Sequence, residues 1–79
     1  MFVVEVLKSA FDNDRMVKEQ ERCTRYFNNI DDAMADYKQR YNLLLDVALI
    51  KSKWDIFVIS IFGGSEMLKM QTIRCGGKK

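Results

Sequence analysis

The sequence predicts an α+β fold: a four-stranded, antiparallel-rich sheet with one long helix packed on one face, in the order β-β-α-β-β. Three observations carry this. The stretch 54–62, W-D-I-F-V-I-S-I-F, is apolar on both of its alternating faces and is closed by Gly63-Gly64. Upstream of it, apolar residues from Ile30 onward recur at steps of three and four, the period of a helix. The flanking segments alternate with a period of two and are bounded by turn residues, as strands are.

The first strand is expected over 2–11. Phe2, Val4 and Val6 share one face, and Val3, Leu7 and Phe11 share the other. Asp12-Asn13-Asp14 is a turn signal, because Asn and Asp tolerate left-handed backbone and bond their own main chain. A second, more polar strand is expected over 15–27. Val17, Cys23 and Phe27 lie on one side with Glu19, Glu21 and Arg25; Lys18, Gln20, Arg22, Thr24 and Tyr26 lie on the other. Its many charges suit a sheet edge, where charge discourages stray pairing.

The helix is expected to start at Asn28-Asn29-Ile30-Asp31-Asp32. Asn29 can cap it, and Asp32 sits three residues on, a variant of the capping box. Asp31, Asp32 and Asp36 place negative charge at the positive end of the helix dipole. Ile30, Met34, Tyr37, Tyr41, Leu44 or Leu45, and Ala48 form the inner face. Asp31, Lys38, Gln39, Asn42 and Asp46 form the outer one. The helix is expected to end near Lys51, with the run V-A-L-I at 47–50 open to a second reading as the start of a strand. The central strand follows over 54–62, with Trp54, Ile56, Val58 and Phe62 on one face and Phe57, Ile59 and Ile61 on the other. Gly63-Gly64-Ser65 supplies the positive φ of a tight hairpin. The last strand covers 66–75, so 1–75 reads as a single domain and 76–79 as a flexible basic tail.

A domain of this size buries about 60% of its unfolded surface, which leaves it marginally stable. One helix covers only one face of the sheet. Phe57, Ile59 and Ile61, with Leu7 beside them, are therefore expected on the uncovered face, where a second copy would bury them. The sequence thus predicts a homodimer through the open sheet face or a sheet edge.

Composition narrows the function classes. The 79 residues carry 13 basic and 11 acidic side chains, a net charge of +2. That balance announces neither nucleic acid nor membrane. No apolar run approaches the about 20 residues of a membrane span. The start, M-F-V-V-E-V-L-K, lacks the charged leader of a signal peptide. A cytoplasmic protein is expected. Cys23 and Cys75 read as reduced thiols, and with no His in the chain they cannot complete a zinc site. The missing His also removes Ser-His and Cys-His catalytic pairs. Gly63-Gly64 and Gly76-Gly77 lack the surroundings of a phosphate loop. The expectation is a non-enzyme with no cofactor and no metal.

Two binding chemistries are legible. Lys18, Arg22 and Tyr26 share a strand face, and Arg25, Arg74, Lys78 and Lys79 join them if the outer strands are neighbours. Such a basic, aromatic sheet face can hold single-stranded RNA by phosphate pairing and base stacking. The alternative is a solvated charged face. The helix start and outer face, with Asp31, Asp32, Asp36 and Arg40, offer contacts to a protein partner; the alternative is ordinary capping and surface charge.

The strand F-V-V-E-V-L-K-S-A-F, the Asx turn, the charged segment M-V-K-E and the helix D-D-A-M-A-D-Y-K-Q-R-Y resemble the small early proteins of T-even bacteriophages. That group includes antitoxins that neutralise host ribonuclease toxins. The resemblance is one of pattern over 1–62 and transfers no single functional residue. It implies a phage-made protein in the host cytoplasm that blocks a defence system by binding a toxin. RNA binding on a basic sheet face is the alternative.

Overall fold

A computed structural model describes residues 1–11, 17–50 and 55–75, without the side chains of Phe11 and of residues 17–19. The elements are β1 (Phe2–Phe11), β2 (Val17–Phe27), α1 (Ile30–Ala48), β3 (Asp55–Gly63) and β4 (Glu66–Arg74). They form a single α+β layer pair: one four-stranded antiparallel sheet, ordered β2-β1-β3-β4, with α1 packed on it. The chain leaves β2 through the helix and returns beside β1, so the two most apolar strands occupy the centre.

The register makes the sheet a grid with two faces. Val4 stands opposite both Arg25 and Ile61, and Val6 opposite both Cys23 and Ile59. This face meets the helix. Val4, Ile59 and Ile61 pack with Ala33 and Tyr37, while Phe57, Ile73 and Cys75 pack with Ala48. Tyr41 and Leu44 touch both clusters and join them into one core. The other face carries Val3, Leu7, Ile56, Val58 and Phe62, all half-buried, on the two central strands, with the Glu5–Ser60 pair between them.

The expected dimer residues are corrected here. Phe57, Ile59 and Ile61 are 2%, 0% and 0% exposed beneath α1. They belong to the core and are not available to a second chain. Strand alternation separates the two apolar sets of β3 but does not say which set the helix covers, because both have similar volume and hydrophobicity. The faces were exchanged, and Val58 and its neighbours hold the open side.

Helix α1 starts as its capping residues require. The Asp32 amide donates to Asn29 Oδ1 at 2.8 Å, and Asn29 Nδ2 donates back to Asp32 Oδ2 at 3.0 Å. The helix ends at Ala48 with Leu49 as its C-cap. Residues 47–50 therefore finish a helix and turn, and none of them begins a strand. Lys51, Lys53 and Trp54 lie outside the described residues, as do Arg15, Met16 and the basic tail 76–79. The β3–β4 hairpin turns at Gly64, whose φ of +63° is left-handed and favours glycine. At Gly63 a side chain would meet Leu68 Cδ1 and Phe2 Cε1, each at 3.1 Å.

Candidate functional site: the groove between the helix and the β2 edge

The helix packs chiefly on β1 and β3, and its contacts with the edge strand β2 are fewer. Between them runs a groove of about 310 Å³, lined on the sheet side by Val6, Cys23 and Arg25. Its helical wall includes Arg40 and Leu44 and, at the rim, Asp36, Gln39, Leu43 and Val47. The rim positions are spaced i, i+3, i+7, i+11 and so form one stripe along α1. Asp32 extends the stripe toward the N-terminus. The stripe is acidic at its start and apolar at its end. Leu43 is 57% exposed and Val47 36%.

Asp36 is the polar centre of the groove. Its side chain is 10% exposed and sits 3.0 Å from Arg40 Nε and 3.3 Å from Arg25 Nη1. The Arg40 pair is an electrostatic contact and not an aligned hydrogen bond, since neither Asp36 Oδ2 nor Arg40 Nε has a hydrogen-bond partner. Arg40 also donates through Nη1 to Cys23 Sγ at 3.6 Å. The network ties the helix to the edge strand and sets the width of the groove. It also consumes much of the binding capacity expected of Asp36 and Arg40. Asp31 and Asp32 remain exposed at the helix start, and among the described residues neither forms an ion pair.

The opposite flank of α1 is closed by Tyr37. Its hydroxyl donates to Gln71 Oε1 at 2.7 Å, and Lys69 Nζ lies 5.6 Å from the ring centre. Burial, with a smaller contribution from Tyr41, pushes the Tyr37 phenol above its ordinary 10.0.

The basic set expected for RNA is dispersed. Arg22 and Tyr26 do share the open sheet face, with the Arg22 side chain 63% exposed and Tyr26 66%. Arg25 points to the helix side and pairs with Asp36. Arg74 stands on β4, the far edge, about 14 Å from β2 at the usual strand spacing. Lys18 falls at the irregularity where β1 and β2 shift register, and Lys78 and Lys79 lie outside the described residues. Arg22 is partnered by Glu5 at 3.6 Å, and Glu21 by Lys8 at 3.3 Å. Cys23 on β2 and Cys75 beyond β4 lie at opposite edges of the sheet, both on its helix side, and no disulfide joins them.

Leu43 and Val47 were not singled out from sequence. The signal was there: L-L-L-D-V-A-L-I at 43–50 holds more large apolar residues than one helix face can bury. Among the described residues no group of three or more Cys, Asp or Glu can hold a metal ion, and no helix is long and apolar enough to cross a membrane. Comparison with family models, curated proteins and solved structures finds no match to the chain.

Proposed function

We propose that this protein is a non-catalytic inhibitor that works by binding another protein, as an antitoxin-like phage product in the host cytoplasm would. The observation that carries the reading is the α1 stripe beside the groove, which runs from exposed Asp32 at the helix start to exposed Leu43 and Val47. A ribonuclease toxin presents a basic surface, because it must hold RNA phosphates. Exposed carboxylates at the helix start complement such a surface and speed encounter. Exposed apolar side chains supply the anchor that makes a complex last. An inhibitor seated this way blocks substrate by occupying its place and needs no chemistry of its own.

The test is an RNA-cleavage assay with host ribonuclease toxins, with and without the purified protein. The parent chain is expected to inhibit stoichiometrically. Leu43→Asp and Val47→Asp, exposed enough to leave folding intact, are expected to weaken inhibition by about 100-fold, the size of a lost hot-spot contact. Inhibition unchanged in both variants removes the groove from the mechanism.

A second reading, a small RNA-binding protein, is favoured by Arg22 and Tyr26 standing exposed on one sheet face. It predicts RNA affinity that falls steeply with salt. It also predicts that Arg22→Glu abolishes that affinity, which a filter-binding series measures directly.

A further inference from the structure

We propose that the outer edge of β2 is the docking site for a second copy of this chain, whose own β2 pairs with it antiparallel about a two-fold axis at Cys23. The two edges of the sheet are not alike. On β4 the pairing with β3 slips between Ile61 and Phe62, leaving Leu68 as an extra residue, and Lys69 follows it. A bulge and a lysine are common means of closing an edge to other strands. On β2 the register to β1 is unbroken over 19–27. Alternate main-chain amides and carbonyls of this stretch point outward, past the last strand of the sheet. No Pro interrupts them.

Those main-chain groups suit any extended strand, and the side chains select one. Opposite residues must lie on the same face of a sheet, so an antiparallel pair of identical strands is centred on a residue. Centred on Cys23, the whole stretch pairs with itself. Cys23 meets Cys23, Arg22 meets Thr24, and Gln20 meets Tyr26. Glu21 meets Arg25 twice, once on each side of the axis. A centre at Arg22 sets that arginine against itself, and a centre at Thr24 pairs no opposite charges. Either shift also shortens the pairing. Charge complementarity between two copies therefore falls on the one register that uses the full edge. Within the chain Glu21 holds Lys8 and Arg25 holds Asp36. Their side chains are nonetheless 68% and 59% exposed, and a carboxylate and a guanidinium each bond more than one partner. The pairing joins two four-stranded sheets into one of eight, with both helices on the same side. The two grooves then lie side by side over the paired β2 strands. The dimer rests on strand pairing and is independent of what occupies the grooves.

Sedimentation equilibrium of the full chain, reduced and across a dilution series, is the first test. The expected result is twice the chain mass of 9.3 kDa, dissociating on dilution. Glu21→Arg turns both attractive pairs repulsive and is expected to raise the dimer dissociation constant by about tenfold. Circular dichroism checks that its sheet survives. Oxidation reads the register without any substitution in the strand. Opposite residues of an antiparallel pair have Cα atoms about 4.5–5.5 Å apart, a span that a disulfide bridges. Copper(II) phenanthroline is expected to link the dimer through Cys23, the two thiols giving two electrons to the copper and two protons to water. Cys23→Ser is expected to abolish the link and keep the sedimenting dimer. A single-chain mass at every concentration overturns the proposal. So does a dimer that oxidation fails to link through Cys23, or one that a folded Glu21→Arg variant leaves as tight as before.

Discussion

Strand β3 carries two sets of apolar side chains with opposite fates. Phe57, Ile59 and Ile61 are sealed under α1, while Ile56, Val58 and Phe62, one residue out of phase, are half-buried on the bare face. Their chemistry is nearly the same. What separates them is the side on which a 19-residue helix, about 28 Å long, crosses the sheet. The helix is placed by what it brings. Ala33, Tyr37 and Ala48 are fully buried, and the small Ala33 and Ala48 let the helix backbone approach closely. An apolar pattern therefore specifies a strand between two layers, and the identity of each layer is set elsewhere in the chain.

The contrast predicts its own largest effect. Ile59→Ala removes a fully buried side chain from beneath the helix and is expected to cost about 2–5 kcal/mol. Val58→Ala, on the bare face, is expected to cost about 1 kcal/mol or less. Urea unfolding of the two variants at low concentration measures both. Equal losses would break the distinction between the faces, because the bare side would then be as well packed as the covered one.

Element order, strand phase, the Asn29–Asp32 cap and the glycine turn were legible in the sequence because each is a local property. Phe2 and Val4 share a face that Val3 does not, Asn29 sits three residues before Asp32, and Gly64 takes the backbone conformation that its lack of a side chain permits. The choice of covered face was not legible. Neither was the separation of Arg22 from Arg74, since strand order is a long-range property that no spacing reveals. The groove was half legible. Asp36 and Arg40 drew attention as surface charges, yet their pairing with Arg25 depends on where the helix lands over β2. Leu44 and Leu45 could be told apart only once the helix was phased: Leu44 bridges the two core clusters, and Leu45 is exposed.

A second comparison, between the two flanks of α1, sharpens the first. On the β2 flank the contact is ionic and open. Asp36→Ala leaves Arg40, whose side chain is 16% exposed, without its carboxylate. The expected loss is about 1–3 kcal/mol, the cost of stranding a charged group in a mostly buried position. Arg25→Ala should cost less, because its side chain is 59% exposed and water screens the pair. Thermal unfolding of both variants ranks them, and a larger loss for Arg25→Ala would mean that the groove is held from the strand side.

On the β4 flank the contact is neutral and closed, and its signature is a proton. Tyr37→Phe removes the 2.7 Å hydrogen bond to Gln71 and is expected to cost about 1 kcal/mol, since half-buried Gln71 can still reach water. The pH dependence is more specific. Burial raises the Tyr37 phenol above 10.0, so the folded chain keeps a proton that the unfolded chain has already lost. The stability held by the neutral phenol is fully present below pH 10. It declines as pH rises through the folded-state value, because ionisation then favours the unfolded chain. An ultraviolet titration should show one of the three tyrosines ionising above the ordinary phenol range, and Tyr37→Phe should abolish that late phase. The same substitution should flatten the loss of stability above pH 10. If Tyr37 ionises in the ordinary range, water reaches the ring, and α1 then closes neither of its flanks; the tight side of the molecule would be the narrow strip over β1 and β3 alone.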